Sequence, residues 1–402
     1  MFNSLNFKVI LFGFIFTFFS SFGQSFFLGL FNSSIRETLS ITHGQFGSIY
    51  ASATLLSSFI LVWIGKKIDD MNIVKFASFV VILLSASSFL FSKISSIIFL
   101  FFAIFLMRLS GQGLMSHTAS TTISRYFEKS RGKALSTTWL GLSSAEFIMP
   151  LFIVFLLTIV EWRNIWISIS ILVIFILPIV IFFTVKNIKL DTRENSVSDN
   201  KIKKEIKQWK RIEVLKDYRF YIISLNMLAM PWIATGSFVY QSFISSSKGW
   251  GPYIIAQSFM VYSVLSVITL FFSGFLIDKF TSRKLLIYMN IPLIFSAFVL
   301  FYFNSPISSF VFFGFIGISN GFANVLGSST WAEIYGVKSI GSIKALTTSL
   351  MVFSTAFGTA LFGILIDNGF TIEQIALISA TYISIAIISM YSIKNKLNPI
   401  YL

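Results

Sequence analysis

Long apolar stretches without alternating polarity run through the whole sequence, and they constrain the fold more than any other feature. Residues 97–107 and 167–185, for example, contain no ionisable side chain. A helix needs about 20 apolar residues to cross the hydrocarbon layer of a membrane. The strands of a membrane β-barrel would instead be segments of about 10 residues that alternate in polarity. The sequence therefore predicts an all-α membrane protein.

Breaks in the hydropathy divide the chain into twelve predicted spans. In the first half they cover residues 8–30, 45–65, 73–92, 96–120, 132–158 and 164–185. In the second half they cover residues 219–244, 253–277, 284–303, 306–330, 345–366 and 372–393. We therefore expect an N-terminal six-helix half at 1–187, a basic linker at 188–217, and a C-terminal six-helix half at 218–402.

The Lys and Arg residues are distributed unevenly between the two sides of this arrangement. With a cytoplasmic N-terminus, 26 of the 31 fall inside, four fall outside, and Arg108 lies within a span. Cytoplasmic loops of membrane proteins carry such an excess. We expect a multi-pass protein of the cytoplasmic (inner) membrane with both termini inside. The net charge of +15 follows from this asymmetry and does not indicate a nucleic-acid partner.

The linker contains an amphipathic pattern from Lys201 to Leu215, with apolar residues mostly on one side and lysines on the other. Such a segment is typical of a helix that lies on a membrane surface. We expect it to tether the linker to anionic lipid headgroups.

Two short patterns recur between the halves. The segment from Gly65 to Asp69 has the form G-x-x-x-D and reappears 209 residues later from Gly274 to Asp278. The segment from Lys133 to Thr137 reappears 211 residues later from Lys344 to Thr348. Matches at equivalent points of two six-helix halves indicate an internal repeat. The halves are therefore predicted to be pseudo-symmetric.

These patterns resemble the major facilitator superfamily. Its loop between helices 2 and 3 carries G-x-x-x-D-[RK]-x-G-[RK]-[RK], with a weaker copy between helices 8 and 9. The resemblance implies that these loops latch the cytoplasmic side of the protein in its outward-open state. It gives as cytoplasmic gate residues Gly65, Asp69, Arg125, Arg131, Gly274, Asp278, Arg283 and Lys344. We expect Asp69 to pair with Arg125 or Arg131, and Asp278 to pair with Lys344.

Two further segments resemble one branch of this family. The stretch from Arg125 to Leu135 and the segment from Phe46 to Tyr50 are most similar to the monocarboxylate and oxalate/formate transporters. This resemblance implies a small carboxylate as substrate. The glycine-rich signature of drug and proton antiporters survives only as Gly141 and Pro150, which disfavours drug efflux.

Three ionisable residues, Arg108, Glu146 and His117, fall inside predicted spans, where charge is costly and usually functional. Arg108 and Glu146 lie on neighbouring spans, each about 18 Å from the outer boundary at about 1.5 Å per residue. In one interpretation Arg108 binds an anionic substrate and Glu146 exchanges a proton. In the other they form a permanent buried salt bridge, and a pair that breaks during transport would combine the two.

His117 follows Arg108 by nine positions, so at 100° per residue the two side chains are expected on opposite faces of one helix. His117 is a candidate for proton coupling, because its ordinary pKa is near neutrality. The alternative is a packed, hydrogen-bonded histidine near the cytoplasmic end of its span.

The family resemblance also implies that spans 1, 4, 7 and 10 line a central cavity. Polar residues there are candidates for hydrogen bonds to a substrate, namely Gln24, Asn226, Tyr240, Gln241, Asn320 and Asn324. Each could instead connect two helices, because such bonds are common in membrane bundles.

Other chemistry lacks its usual residues in this sequence. There is no G-x-x-x-x-G-K-[ST] loop and no cluster of His, Cys or carboxylate residues, so we expect no enzyme activity, cofactor or metal. The expected protein is a monomeric secondary transporter with a small, anionic solute and protons or another coupling ion as partners. Two alternatives stay open: proton-coupled efflux of lipophilic cations, and a membrane sensor that does not transport.

Overall fold

The computed structural model describes residues 4–127, 131–186, 207–336 and 338–400, and all regular secondary structure in these ranges is helical. The chain divides into two compact units. The first comprises Met1–Ser196 together with Phe238–Ser242, and the second comprises Val197–Ser237 together with Phe243–Leu402.

In its described residues, the first unit contains nine α-helices and one π-helix. The α-helices are α1 (Ser4–Ser20), α2 (Ser25–Gly29), α3 (Asn32–Leu39), α4 (His43–Lys66), α5 (Ile73–Ser92), α6 (Ile97–Met107), α7 (Ser116–Tyr126), α8 (Arg131–Ile159) and α9 (Trp162–Val185). The π-helix spans Arg108–Met115 and joins α6 to α7.

The second half of the chain is built in the same way. Its α-helices in the described residues are α10 (Arg211–Lys216), α11 (Tyr218–Val239), α12 (Gln241–Lys248), α13 (Pro252–Phe280), α14 (Ser282–Leu285), α15 (Ile291–Tyr302), α16 (Pro306–Tyr335), α17 (Ile340–Asp367) and α18 (Ile372–Ser392).

The predicted spans coincide with the long helices. Eleven helical stretches in the described residues are long and apolar enough to cross a membrane, and α15 is a shorter apolar helix. The predicted span 284–303 is interrupted by a turn at 286–290, and only 291–302 forms a continuous helix. The all-α prediction is confirmed, and the layout is consistent with twelve spans.

Helix ends follow local capping rules. At the start of α4 the Thr42 hydroxyl accepts from the Gln45 N–H, while the Gln45 side chain accepts from the Thr42 N–H. Thr371 and Gln374 form the same capping box before α18. Each box satisfies two backbone N–H groups that have no partner inside the helix. These starts are therefore encoded in the local sequence.

Small and hydroxylated residues allow the helices of the first unit to pack closely. A side chain at Gly141 would overlap the Phe14 carbonyl, so α8 lies directly against α1. The Thr17 hydroxyl donates to the carbonyl of Thr138 at 2.6 Å across the same interface. Such contacts place α8 and α1 side by side in a fixed register.

In the second unit, the G-x-x-x-G pattern explains the closest helix pair. A side chain at Gly317 would overlap the Tyr262 carbonyl, and one at Gly321 would lie 2.6 Å from the carbonyl oxygen of Ser266. Both glycines of α16 therefore allow the backbone of α13 to approach, the usual role of this motif in membrane proteins.

The described part of the predicted linker packs against protein. Trp209 is 9% exposed and Val214 is fully buried, and both belong to the apolar core of the second unit. The N–H of Trp209 donates to the Tyr335 carbonyl at 3.1 Å. The predicted amphipathic helix is wrong in part for residues 207–215, because the helix there begins only at Arg211 and Trp209 and Val214 enter this core, whereas Ile212 is 69% exposed. Residues 201–206 lie outside the described residues.

Candidate functional site

A break in the first predicted span forms the centre of the candidate site. Residues Ser21–Gly23 form a short 3₁₀ helix, Gln24 is extended (φ −82°, ψ 153°), and α2 begins at Ser25. A side chain at Gly23 would overlap the Met107 carbonyl. The break therefore rests directly on the backbone of the fourth span, a contact that only glycine permits.

The fourth span contains the π-helix at the same level. Its i→i+5 hydrogen bonds are rare, and such segments occur frequently at functional sites. A side chain at Gly111 would lie 2.7 Å from the backbone nitrogen of Gly23, so both partners of this contact are glycines. Because a π-helix turns through a smaller angle per residue than an α-helix, the predicted opposition of Arg108 and His117 rested on a wrong helical period.

Arg108, the first residue of the π-helix, binds the broken span. Its side chain is buried, at 3% exposed. Nη1 donates to the Gly23 carbonyl at 3.1 Å and to Ser25 Oγ at 3.2 Å. The guanidinium carbon lies 5.4 Å from the centroid of the Tyr50 ring, and the Tyr50 hydroxyl donates to Ser25 Oγ at 3.1 Å. Gly23 and Ser25 thus hold one edge of the guanidinium group, and Tyr50 contacts the group through its ring and orients Ser25.

The other edge of Arg108 carries no bond within the described residues of the first unit. Nε is buried and has no partner, and no hydrogen bond of Nη2 is present there. No carboxylate of the described first unit forms an ion pair with this guanidinium. The structure therefore lacks the permanent salt bridge between Arg108 and Glu146 that was one of the two interpretations.

Glu146 lies near the same level as the break in the first span. On α8 it follows Gly141, which touches α1 at Phe14, by five residues, or about 7.5 Å along the helix. Ser21 follows Phe14 by seven residues in the parallel first span, a rise of about 10 Å. The Glu146 side chain is half-buried and forms no ion pair in the described part of the first unit.

His117 occupies a packed position. Its ring Nε2 lies 3.0 Å from the carbonyl oxygen of Gly65, at the end of α4. This geometry matches the alternative of a hydrogen-bonded histidine that joins two helices.

The six predicted polar residues occupy different environments. Gln24 is half-buried beside the partners of Arg108, and no hydrogen bond of its side chain is present in the described residues. Asn324 is exposed. Asn320 Nδ2 donates to Ser266 Oγ at 2.9 Å, which connects α16 to α13. Within the first unit, Gln24 is adjacent in sequence to Gly23 and Ser25, the partners of Arg108.

Asn226 has a structural environment in the second unit. It is fully buried, and its Nδ2 donates to the Leu286 carbonyl at 2.9 Å. Asn290 Nδ2 donates to both the carbonyl and Oδ1 of Asn226, at 2.6 and 2.9 Å. The expectation that Asn226 offers its amide to a substrate is wrong in this structure, because that amide anchors the turn before α15.

Tyr240 and Gln241 belong to the segment Phe238–Ser242 of the first unit. The Tyr240 hydroxyl donates to the His43 carbonyl at 2.8 Å, and Gln241 Nε2 donates to the Phe26 carbonyl at 2.8 Å. Both side chains are buried, and both donors are used by backbone carbonyls. They therefore fasten this segment within its unit.

The first predicted gate contains its expected ion pair. Arg125 Nη2 pairs with Asp69 Oδ1, and Arg125 Nη1 donates to the Ile68 carbonyl at 3.2 Å. Gly65 is buried against His117. Arg131 begins α8, and its side chain lies outside what the structure describes.

The second gate uses a residue that sequence reasoning missed. Asp278 and Lys344 are both exposed and form no ion pair in the described chain, so the expected pair is wrong. Arg283 Nε instead lies 3.2 Å from Glu333 Oε1. Glu333 Oε2 also accepts from the N–H and hydroxyl of Ser282. A side chain added at Gly274, on the same helix as Asp278, would meet no atom within 4 Å.

The two gates occupy equivalent points of the repeat, but the acidic and basic partners of the ion pair have exchanged places. In the first unit the loop supplies the acid and the helix end supplies Arg125; in the second the loop supplies Arg283 and the helix end supplies Glu333. The repeat offset of 209 carries Arg125 to position 334, adjacent to Glu333. Applying the offset to Arg125 would have identified Glu333 from the sequence.

Comparison with known proteins gives the family and the fold. The sequence profile of the Major Facilitator Superfamily matches residues 13–359. No curated protein matches the sequence at a significant level. Solved structures similar to this one are transporters. A bacterial homologue of the human lysosomal transporter Spinster, inward-facing and unoccupied, is 15% identical (TM-score 0.69, covering 99% of this chain and 95% of that one).

The nucleoside transporter NupG is 14% identical, with a TM-score of 0.71 over 97% of this chain and 99% of that one. At these identities the likeness establishes the fold alone. Together with the family match over most of the sequence, it shows a multi-pass membrane transporter and not an enzyme. The chain belongs to the major facilitator superfamily.

Proposed function

We propose that this secondary transporter moves a small organic anion, a carboxylate, together with protons, by alternating access to a site centred on Arg108. The observation that carries the proposal is the buried guanidinium group of Arg108. It has one edge bonded to neutral groups and no carboxylate partner in the described first unit.

A buried charge without a counter-ion is costly, and proteins normally pair it. An anionic solute would supply the missing charge. The Nε and Nη2 donors of a guanidinium form a planar edge that matches the two oxygens of a carboxylate. Because Nη1 is held by Gly23 and Ser25, this second edge of Arg108 has a preset orientation. Gln24 adds an amide beside it.

Glu146 is the proposed proton carrier. A carboxyl group in a membrane helix without a cation to pair with is a candidate for proton exchange. Glu146 lies at about the same depth as the break in the first span. An anion that arrives at Arg108 would therefore be close enough to favour protonation of Glu146. The same residue also favours a second candidate function, the proton-coupled export of a lipophilic cation, which would require Glu146 and not Arg108.

The remaining assignments follow from the same proposal. The ion pairs Arg125–Asp69 and Arg283–Glu333 are proposed as the cytoplasmic gates, each within its own unit. The protein is proposed to be a monomer in the cytoplasmic membrane. Both termini are proposed to lie inside, because the basic residues concentrate on that side.

Thermal stability of the purified protein against small carboxylates, sugars, amino acids and lipophilic cations tests the substrate class. A ligand at 100 times its dissociation constant stabilises a protein by about 2.7 kcal/mol. Carboxylates are expected to raise the melting midpoint, and Arg108→Gln is expected to abolish this shift. Arg163→Gln is the matched control, because Arg163 is likewise bonded to a neighbouring segment, donating to two backbone carbonyls at 2.8 Å, but lies at the start of α9.

Uptake into proteoliposomes with an imposed pH gradient tests the coupling. Glu146→Gln is expected to retain the carboxylate-induced shift and lose acceleration by the gradient. Stabilisation by cations that depends on Glu146 would replace the anion proposal with the efflux proposal. No stabilisation by any solute would favour the sensor alternative.

A further inference from the structure

A surface with both basic and aromatic side chains lies where two spans of the second unit end. Tyr218 is the first residue of α11, and Tyr391 is the last but one of α18. Both helices are long and apolar enough to cross a membrane. A short 3₁₀ helix, Lys394–Lys396, follows α18. The tyrosine–lysine edge comprises five exposed residues: Lys216, Tyr218, Tyr391, Lys394 and Lys396.

A buried ion pair fixes the two parts of this edge side by side. Arg219 Nη2 lies 2.8 Å from Asp217 Oδ2, and both side chains are buried. Arg219 Nη1 also donates to the carbonyls of Lys396 and Asn398, at 2.9 and 3.3 Å. Asp217 Oδ2 accepts from the Tyr335 hydroxyl at 3.1 Å. The start of α11 and the segment after α18 therefore have one fixed arrangement, as a binding surface requires.

Each of the two tyrosines in the edge has a lysine over its ring. Lys394 Nζ lies 3.7 Å from the centroid of the Tyr391 ring, and Lys396 Nζ lies 5.8 Å from that of Tyr218. The face of an aromatic ring attracts an ammonium group within about 6 Å. These contacts position the two ammonium groups without neutralising them, because a tyrosine ring carries no net charge.

The positive charge of the edge is not balanced by a carboxylate in the described chain. Its three lysines form no ion pair there. Asp217, which follows Lys216, is paired with Arg219. Glu213 is paired with Lys207 at 3.2 Å. The edge therefore presents three positive charges that an anion could bind.

The position of the edge indicates an anion that belongs to the membrane. Because α11 begins and α18 ends here, the edge lies at a boundary between lipid and water. Tyrosine is enriched at this level, where its ring contacts lipid and its hydroxyl contacts water. Tyr221, also exposed, lies one turn further along α11, and its hydroxyl donates to the Leu215 carbonyl at 2.8 Å. A soluble anion would contact the lysines alone, whereas a phospholipid would contact the lysines and the rings.

We propose that the tyrosine–lysine edge binds the headgroup of an anionic phospholipid. The lysine ammonium groups donate to the phosphate oxygens, and the exposed tyrosine rings pack against the glycerol and the first acyl carbons. All five residues lie outside the amphipathic segment 201–215, so this surface differs from the predicted tether. The site does not depend on the proposed anion transport.

Native mass spectrometry of the full-length protein in detergent tests the proposal by titration with phosphatidylglycerol. Each lysine near an anionic surface strengthens binding about fivefold. The protein is therefore expected to bind phosphatidylglycerol at least about tenfold more tightly than phosphatidylcholine with the same acyl chains. Glycerophosphoglycerol, which is the same headgroup without acyl chains, should not displace the lipid at equal concentration.

A pair of double variants tests the location. Lys394→Gln combined with Lys396→Gln should weaken phosphatidylglycerol binding about tenfold or more. Lys66→Gln combined with Lys67→Gln is the matched control, because it also removes two exposed lysines, at the end of α4. The control should bind phosphatidylglycerol like the native protein. All four side chains are exposed, so both double variants are expected to fold normally.

Three single variants complete the test. Tyr218→Leu and Tyr391→Leu should each weaken phosphatidylglycerol binding about two- to fivefold, because a lysine loses the ring that positions it. Arg108→Gln should bind the lipid like the native protein, which separates this proposal from the anion transport. Equal affinity for the two phospholipids, equal loss in both double variants, or displacement by glycerophosphoglycerol would overturn the proposal.

Discussion

Replacing Thr281 by glycine is expected to stabilise the protein. Thr281 connects α13 to α14 with φ 73° and ψ 149°, a backbone conformation that side chains with a Cβ rarely adopt. It stands where the family pattern G-x-x-x-D-[RK]-x-G has its second glycine, three residues after Asp278. The carboxylate of Glu333 holds the following residues, Ser282 and Arg283, through their N–H groups at 2.9 and 3.3 Å. The loop therefore retains a conformation that threonine alone disfavours.

The magnitude follows from two opposing effects. A residue forced into this region is strained by about 1–3 kcal/mol. Glycine makes the unfolded chain more flexible, which costs about 0.4–1 kcal/mol. The net gain in the free energy of unfolding for Thr281→Gly is therefore about 1 kcal/mol. Removing the Thr281 hydroxyl, which is buried without a partner in the described residues, adds to this gain.

Denaturation by SDS in mixed micelles measures the effect, with Thr281→Ala as the matched variant. Alanine removes the hydroxyl but keeps the Cβ, so the difference between the two variants reports backbone strain less the flexibility that glycine adds to the unfolded chain, without the hydroxyl. Ser40→Gly is a second control, because Ser40 has φ 52° and ψ 42°, an ordinary left-handed helix cap that strains a side chain less. It should change stability by less than Thr281→Gly does. A Thr281→Gly variant no more stable than Thr281→Ala would refute the reasoning.

Three other substitutions test particular contacts. Gly23→Ala should impair transport and lower the melting midpoint, because its methyl group overlaps the Met107 carbonyl; uptake into proteoliposomes and thermal unfolding check this. Lys248→Met should destabilise the protein by about 2 kcal/mol, because the buried ammonium lies 2.7 Å from Glu373; an unchanged SDS midpoint would contradict it. Glu333→Gln should weaken the Arg283 pair and increase proteolysis of the loop at 281–285, whereas protection like that of the native protein would count against this gate.

The twelve spans could be predicted because the signal is local. Membrane helices must satisfy their backbone hydrogen bonds internally and present about 20 apolar residues to lipid, so hydropathy alone locates them. The Asp69–Arg125 pair could also be predicted, because Asp69 belongs to the recurring G-x-x-x-D motif and the family resemblance gives Arg125 as a gate residue. The prediction of an Asp278–Lys344 pair failed because the second copy keeps Asp278 but the ion pair there joins Arg283 to Glu333, and Glu333 lies outside the motif.

The environment of Arg108 depends on contacts that no local pattern records. Its charge within a span marked it as functional, but its partners Gly23 and Ser25 lie more than 80 residues away in the chain. The ring of Tyr50 contacts Arg108. Tyr50 belongs to the segment Phe46–Tyr50, but nothing in that segment identified it as a partner of Arg108. The π-helix also changed the face on which neighbouring residues lie, which a fixed 100° period cannot anticipate.

The sequence by itself determined that the protein is an all-α membrane protein built from two similar halves, because apolar length and an internal repeat are properties of a linear chain. Tertiary structure alone decided that Arg108 binds a break in the first span, that Asn226 anchors a turn, and that Glu333 pairs with Arg283. These outcomes depend on how closely two helix backbones approach. That distance is set by glycines such as Gly23 and Gly111 acting together, a condition visible only when both segments are in place.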